Sequence, residues 1–250
     1  MNRTTLIPLC MSIAACSSSN TPTRDQYDDT AQAIATTTAT SGGGGDVASM
    51  SDTVTIALGT MPLGFSVMGD GHFQGTRLGV NYDYMLSCKS AAGVTGACGP
   101  LTDQATVEVN WSGNLNLPSI ESSVSRTGSW SITGLQSDTS AVSGSGTFSF
   151  DATLHSIFRP GATTHYSFET SASYSAVRIS TQQHQILDGS AALDVTAHAT
   201  VSGTDHDSND SFDVHAEITF RTDHTADLVL DGSQHYSIDL TTGLVVRVNT

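Results

Sequence analysis

From Val54 onward the chain alternates apolar residues with Ser, Thr, Asp and Asn, and this period of two is its dominant pattern. Residues two apart share one face of a strand, so each alternating run predicts a half-buried strand. Val107, Val109, Trp111, Leu115 and Leu117 share one parity, interrupted by Gly113. Phe148, Phe150, Ala152 and Leu154 form a second set, and Tyr166, Phe168, Ala172, Tyr174 and Ala176 a third. Val177 and Ile179 then take the opposite phase. A β-bulge between Ala176 and Val177, which re-aims the strand, accounts for that switch. Leu193, Val195, Ala197, Ala199 and Val201 continue the pattern, followed by Phe212, Val214, Ala216, Ile218 and Phe220. No convincing helical period appears in this stretch.

Asp70-Gly71, Asp188-Gly189 and Asp231-Gly232 punctuate the runs as hairpin signals, because both residue types tolerate positive φ. Consecutive antiparallel pairing follows, and the predicted fold is all-β: a meander of about ten strands, either a sandwich or a curled barrel-like sheet. Alternation alone does not separate the two. A membrane-spanning barrel also alternates, but it carries aromatic girdles and a tall apolar band. Here aromatics are 6% of the chain and many apolar positions are Ala, so that reading is set aside.

The N-terminus follows a different rule. Behind the single charge of Arg3 lies an apolar run from Leu6 to Ala15, broken by Pro8 and far shorter than the roughly 20 residues of a spanning helix. It reads as a signal h-region. The run closes on Ile13-Ala14-Ala15-Cys16, an aliphatic residue, two small residues and a cysteine. This box resembles the site cleaved and acylated in bacterial lipoproteins. The resemblance implies export, fatty acylation of Cys16 by chains such as palmitate, and a membrane-anchored product. An ordinary signal peptide, leaving Cys16 as a free thiol, is the alternative. Ser17 stands where an inner-membrane retention signal has Asp, which by the same resemblance favours the outer membrane over the inner.

The expected organisation is therefore a signal peptide over 1–15, an acylated Cys16 heading a flexible tether over 16–50, and one all-β domain over 51–250. The tether assignment rests on a composition rich in Ser, Thr, Ala and Gly, including Gly42 to Gly45 in a row.

With 24 acidic and 9 basic residues the chain carries a net charge of -15, which disfavours nucleic acid and anionic surfaces as partners. The acidic residues are 20 Asp and 4 Glu, an excess suited to turns, where Asp bonds its own backbone. Of four cysteines, Cys10 leaves with the signal and Cys16 takes lipid. Cys88 and Cys98 remain, an isolated pair in an exported chain, and the expected state is a disulfide worth about 2 to 3 kcal/mol.

The segment from Glu217 to Val248, which holds Ile218-Thr219-Phe220, the run Ala226 to Gly232, the run Tyr236 to Gly243 and the run Val245 to Val248, resembles the tail of uncharacterised lipoproteins of soil bacteria. That likeness implies a β fold and no particular activity.

Nine histidines are the main supply of reactive groups. If Thr200 pairs with Asp213, His198 lies opposite His215 with Glu217 nearby, a cluster able to hold Zn²⁺ and so to serve a metal-dependent enzyme. Unpaired, these residues are polar surface. The run Asp205 to Asp210 begins like a calcium loop but has Asp210 where the loop needs Gly and Ala216 where it needs Glu. There is no G-x-S-x-G elbow and no H-E-x-x-H pair. No cofactor is expected. The leading expectation is a non-enzymatic, lipid-anchored envelope protein that binds an envelope partner or serves a structural role. The alternative is a carrier that shelters an apolar ligand within a curled sheet.

Overall fold

The structure, a computed structural model, describes residues 21–39, 45–77, 79–117, 120–158, 161, 163–202 and 208–248, of which 115–117, 120, 202 and 208 are described by backbone alone. The lipid box at 13–16 and the Asp205 to Asp207 part of the calcium-like run lie outside these residues; Asn209 and Asp210 fall within a strand. The strands are β1 (Phe65–Gly69), β2 (His72–Arg77), β3 (Val80–Ser90), β4 (Thr95–Gly96), β5 (Thr102–Leu117), β6 (Ile120–Thr133), β7 (Thr139–His155), β8 (Thr163–Ser180), β9 (Ile186–Ser202), β10 (Ser208–Phe220), β11 (Thr225–Leu230), β12 (Gln234–Asp239) and β13 (Val245–Arg247). They form one antiparallel sheet in sequence order, with β4 pairing on β3 beside the main path. The meander is as the alternation requires. Among the described residues it is a single open sheet, not a sandwich, and it has thirteen strands where about ten were expected.

The apolar parity points inward. Val107, Val109 and Trp111 are buried, as are Phe148, Phe150, Ala152 and Leu154, while the intervening residues of β6 and β8 that face outward are largely Ser, Thr and Glu. Rings stack along the inner face from strand to strand. Phe65 lies on Tyr84 at 5.4 Å, Tyr82 meets Trp111 at 5.9 Å, Trp111 meets Phe148 at 5.5 Å, and Phe150 meets Phe168 at 5.8 Å. Stacked, tilted and edge-on contacts of this kind add to the area they bury.

The bulge in β8 sits where the parity switch places it. Ala176 is exposed with φ 47, and the register shifts between Ser175 and Arg178. Asp188-Gly189, expected as a hairpin, lies inside β9 opposite this bulge. Gly189 has φ 124, and a Cβ there would come within 2.5 Å of Val177 Cα, so the glycine admits the bulged strand where it would otherwise have turned the chain.

The tether expectation is overturned for the described part of 16–50. Helix α1 (Arg24–Thr38) and helix α2 (Asp46–Ala57) fill the concave face of the sheet, and α2 crosses the boundary drawn at residue 50. Helix α1 opens on a capping box. Thr23 N–H donates to Gln26 Oε1 at 2.7 Å, and Gln26 N–H donates to Thr23 Oγ1 at 3.3 Å. From Tyr27 to Thr38 every residue of α1 is buried, polar ones included. Each polar group then needs a partner inside. The Tyr236 hydroxyl donates to Asp28 at 2.8 Å, and Thr164 donates to Asp29 at 3.1 Å. The Thr30 and Tyr166 hydroxyls are 2.6 Å apart, and Gln32 bridges the backbone of His155 and Ile157.

Helix α2 is held by an ion pair. Asp46 Oδ1 stands 2.9 Å from Arg126 Nε, both side chains are buried, and the Tyr174 hydroxyl donates to the same carboxylate. The guanidinium lies over the rings of Trp130 and Tyr174 at 5.7 and 5.6 Å. Burial pushes the Asp46 carboxyl upward, opposed by the charge of Arg126 and the Tyr174 hydroxyl.

Two outcomes follow. Deleting residues 17–50 is expected to abolish cooperative thermal unfolding and the near-ultraviolet circular dichroism of the buried rings, whereas loss of a mere tether would leave both intact. Arg126→Ala is expected to cost about 3 to 5 kcal/mol in urea denaturation, because it strands a buried carboxylate.

Candidate functional site

At one end of the sheet β5 meets β6, β7 meets β8 and β9 meets β10; at the other β6 meets β7, β8 meets β9 and β10 meets β11. Helix α1 belongs to the first end through its contacts with Asp210, His155 and Thr164. The C-terminus of α2 belongs to the second, where Gly99 N–H donates to Ala57 O at 3.1 Å and Ser51 donates to His184 O at 2.6 Å.

An apolar cleft opens at this second end. Strand β3 pairs with β2 only as far as Met85 and with β4 only from Cys88, so Leu86 and Ser87 floor a gap between the two. One wall is the β1–β2 hairpin, with Val67 and Phe73. A second is the segment Gly59 to Met61 after α2, and the third is the disulfide loop with Ala97. The cavity holds about 670 Å³, within the size range of small-molecule and side-chain pockets.

Local sequence makes each wall. Gly59, at φ 87, ends α2 in the left-handed conformation usual after a helix, and a Cβ there would come within 2.8 Å of Gly99 Cα. Gly71, at φ 72, turns the hairpin; its carbonyl accepts from Leu86 N–H at 2.7 Å. Cys88 and Cys98 form the expected disulfide, Cα atoms 5.1 Å apart, which closes the loop onto β3. Behind the hairpin, Arg77 packs its guanidinium 4.9 Å from the Phe65 ring and donates to both oxygens of Asp52 on α2, at 2.8 and 3.1 Å. The first hairpin is thus bolted to the second helix.

The histidine cluster does not assemble. The observed register pairs Thr196 with Asp213, not Thr200 with Asp213, so His198 faces Ser211 and His215 faces Asp194. His198 Nδ1 lies 2.5 Å from Ser211 Oγ and His215 Nδ1 lies 2.8 Å from Asp194 Oδ1, while Glu217 stays 4.0 Å from His215 Nε2. A shift of four residues keeps every side chain on its face but separates the imidazoles. Among the described residues no three metal-ligating side chains converge. The cleft itself was missed by sequence reading; the signal available was the cluster Met61, Leu63, Val67 and Met68, apolar residues in a stretch with weak alternation. Comparison with protein-family models, with curated proteins and with solved structures finds no match.

Burial pushes the Asp52 carboxyl up to about 6, against the pull of Arg77. A carboxyl raised in the folded state binds its proton more tightly there than in the unfolded chain. Its contribution to stability is therefore full below its ordinary value near 3.8, declines as pH rises to about 6, and is level above. Between about pH 4.5 and pH 7 the wild-type chain is expected to lose on the order of 2 kcal/mol more stability than Asp52→Asn, read from paired urea denaturation curves.

Proposed function

We propose that this chain is an exported, lipid-anchored, non-enzymatic binding module of the cell envelope, whose apolar cleft takes its partner at the end remote from the anchor. The observation that carries the reading is the placement of the cleft. The N-terminus of α1 lies at the first end of the sheet and the cleft at the second.

Seven residues, Ser17 to Thr23, separate Cys16 from α1. Their greatest reach is about 25 Å. This is a short strap in place of the 35-residue leash that composition suggested, and it keeps the first end of the sheet close to the bilayer. Several acyl chains on Cys16 supply durable attachment. The cleft then faces away from the lipid, toward whatever the envelope space presents.

The carrier reading needs an unfilled apolar lumen. Here the concave face is packed by two helices and their hydrogen-bonded polar groups, which supports a module with an external cleft over a container.

The anchor is tested by Cys16→Ala. The unaltered chain is expected in the membrane fraction, with an intact mass that begins at Cys16 and includes acyl chains. The variant is expected in the soluble fraction or as unprocessed precursor. Equal partitioning of both, with no added mass, would remove the anchor from this reading.

A further inference from the structure

The cleft adjoins an open strand edge. Strand β1 ends the sheet path, and among the described residues no strand pairs with its outer side. Ser66, Val67, Met68 and Gly69 are all exposed. Exposed edges are commonly blunted by charge, proline or a bulge that twists the strand away. The sequence Phe65-Ser66-Val67-Met68-Gly69 contains no charge and no proline; its register irregularity falls only at the hairpin tip, between Val67 and Gly69. The opposite edge, β13, is three residues long and carries Arg247, which donates to Asp28 on α1.

Two features therefore coincide on β1. Among the described residues its outer backbone groups have no neighbouring strand, and Val67, on the same face as the buried Phe65, borders the cleft while remaining 59% exposed. An acyl chain could use the cavity but not the edge. An extended polypeptide uses both, since its backbone continues the ladder and every second side chain points to the cleft side.

We propose that the chain binds an extended, apolar-alternating peptide segment of another protein by strand addition to β1, with alternate aliphatic side chains of the peptide seated in the cleft beside Val67 and Phe73. The inference rests on the cleft being the binding site of the module described above. Specificity comes from side-chain shape in the cleft, while the ladder contributes affinity that is largely independent of sequence.

The test is fluorescence anisotropy of the purified full chain with a labelled short peptide that alternates Val and Leu with Ser and Thr. Saturable binding is expected. N-methylation of the peptide at alternate residues whose amides face β1 is expected to weaken it by about tenfold or more, and N-methylation of the intervening residues to leave it nearly unchanged. Val67→Asp is expected to weaken binding similarly without moving the melting midpoint, because the side chain is exposed. Equal sensitivity to both methylation patterns, or indifference to Val67→Asp, would overturn strand addition. Binding of palmitate alone would overturn the peptide assignment yet keep the cleft as a binding site, whereas binding of neither probe would remove both. Concentration-dependent self-association in sedimentation velocity, abolished by Val67→Asp and with no peptide bound, would replace the partner by a second copy of this chain.

Discussion

The contact between Asp46 and Arg126 joins the two halves of this architecture. An open sheet of thirteen strands has a concave face that must be covered, and a helix laid there brings backbone and side-chain polarity into an apolar space. The sequence resolves this by placing a cation on β6 between two aromatic neighbours. Arg126 is paired in register with Trp111 on one side and Phe148 on the other. Its charge is met by the first residue of α2, and its flat faces are met by rings. The pair fixes where α2 begins, and thereby where its C-terminus emerges to wall the cleft. The same logic governs α1, whose carboxylates and hydroxyls are received by Tyr166, Tyr236, Thr164 and Arg247.

The sheet was legible because half of it meets solvent. Strands with one wet face must alternate, and β8 wrote even its bulge into the sequence as a change of phase. The helices were illegible for the converse reason. A helix covered on all sides has no polar stripe, and α1 compensates its burial with Thr, Asp and Gln in place of Leu and Val, so its composition matches that of a linker. The capping box at Thr23 and Gln26 was the one local mark of its start. Register is likewise invisible to alternation, since a shift of two or four residues preserves every face; the spacing of His198 and His215 therefore carried no information about their distance. The disulfide was legible because, once export is expected, an isolated pair leaves little choice of partner.

The cleft owes its existence to a mismatch of strand lengths. β3 has 11 residues, of which β2 covers 6 and β4 covers 2 from the far side of the gap. The uncovered step at Leu86 and Ser87 would be an invitation to collapse were its walls not fixed from outside, by the disulfide on one side and the Asp52–Arg77 bond on the other. Rigid walls around an apolar void are the arrangement by which a partner binds without first having to order its receptor.

Asp28, near the start of the described residues, is held by Arg247, 219 residues later. Helices made early thus wait for a strand made much later, and most pairings of the sheet come between them. A polypeptide wired in this way cannot finish this interior until β13 has been synthesised. Long-range closure of this kind is slow to form, a delay that suits the export proposed above, in which the chain crosses a membrane before it folds.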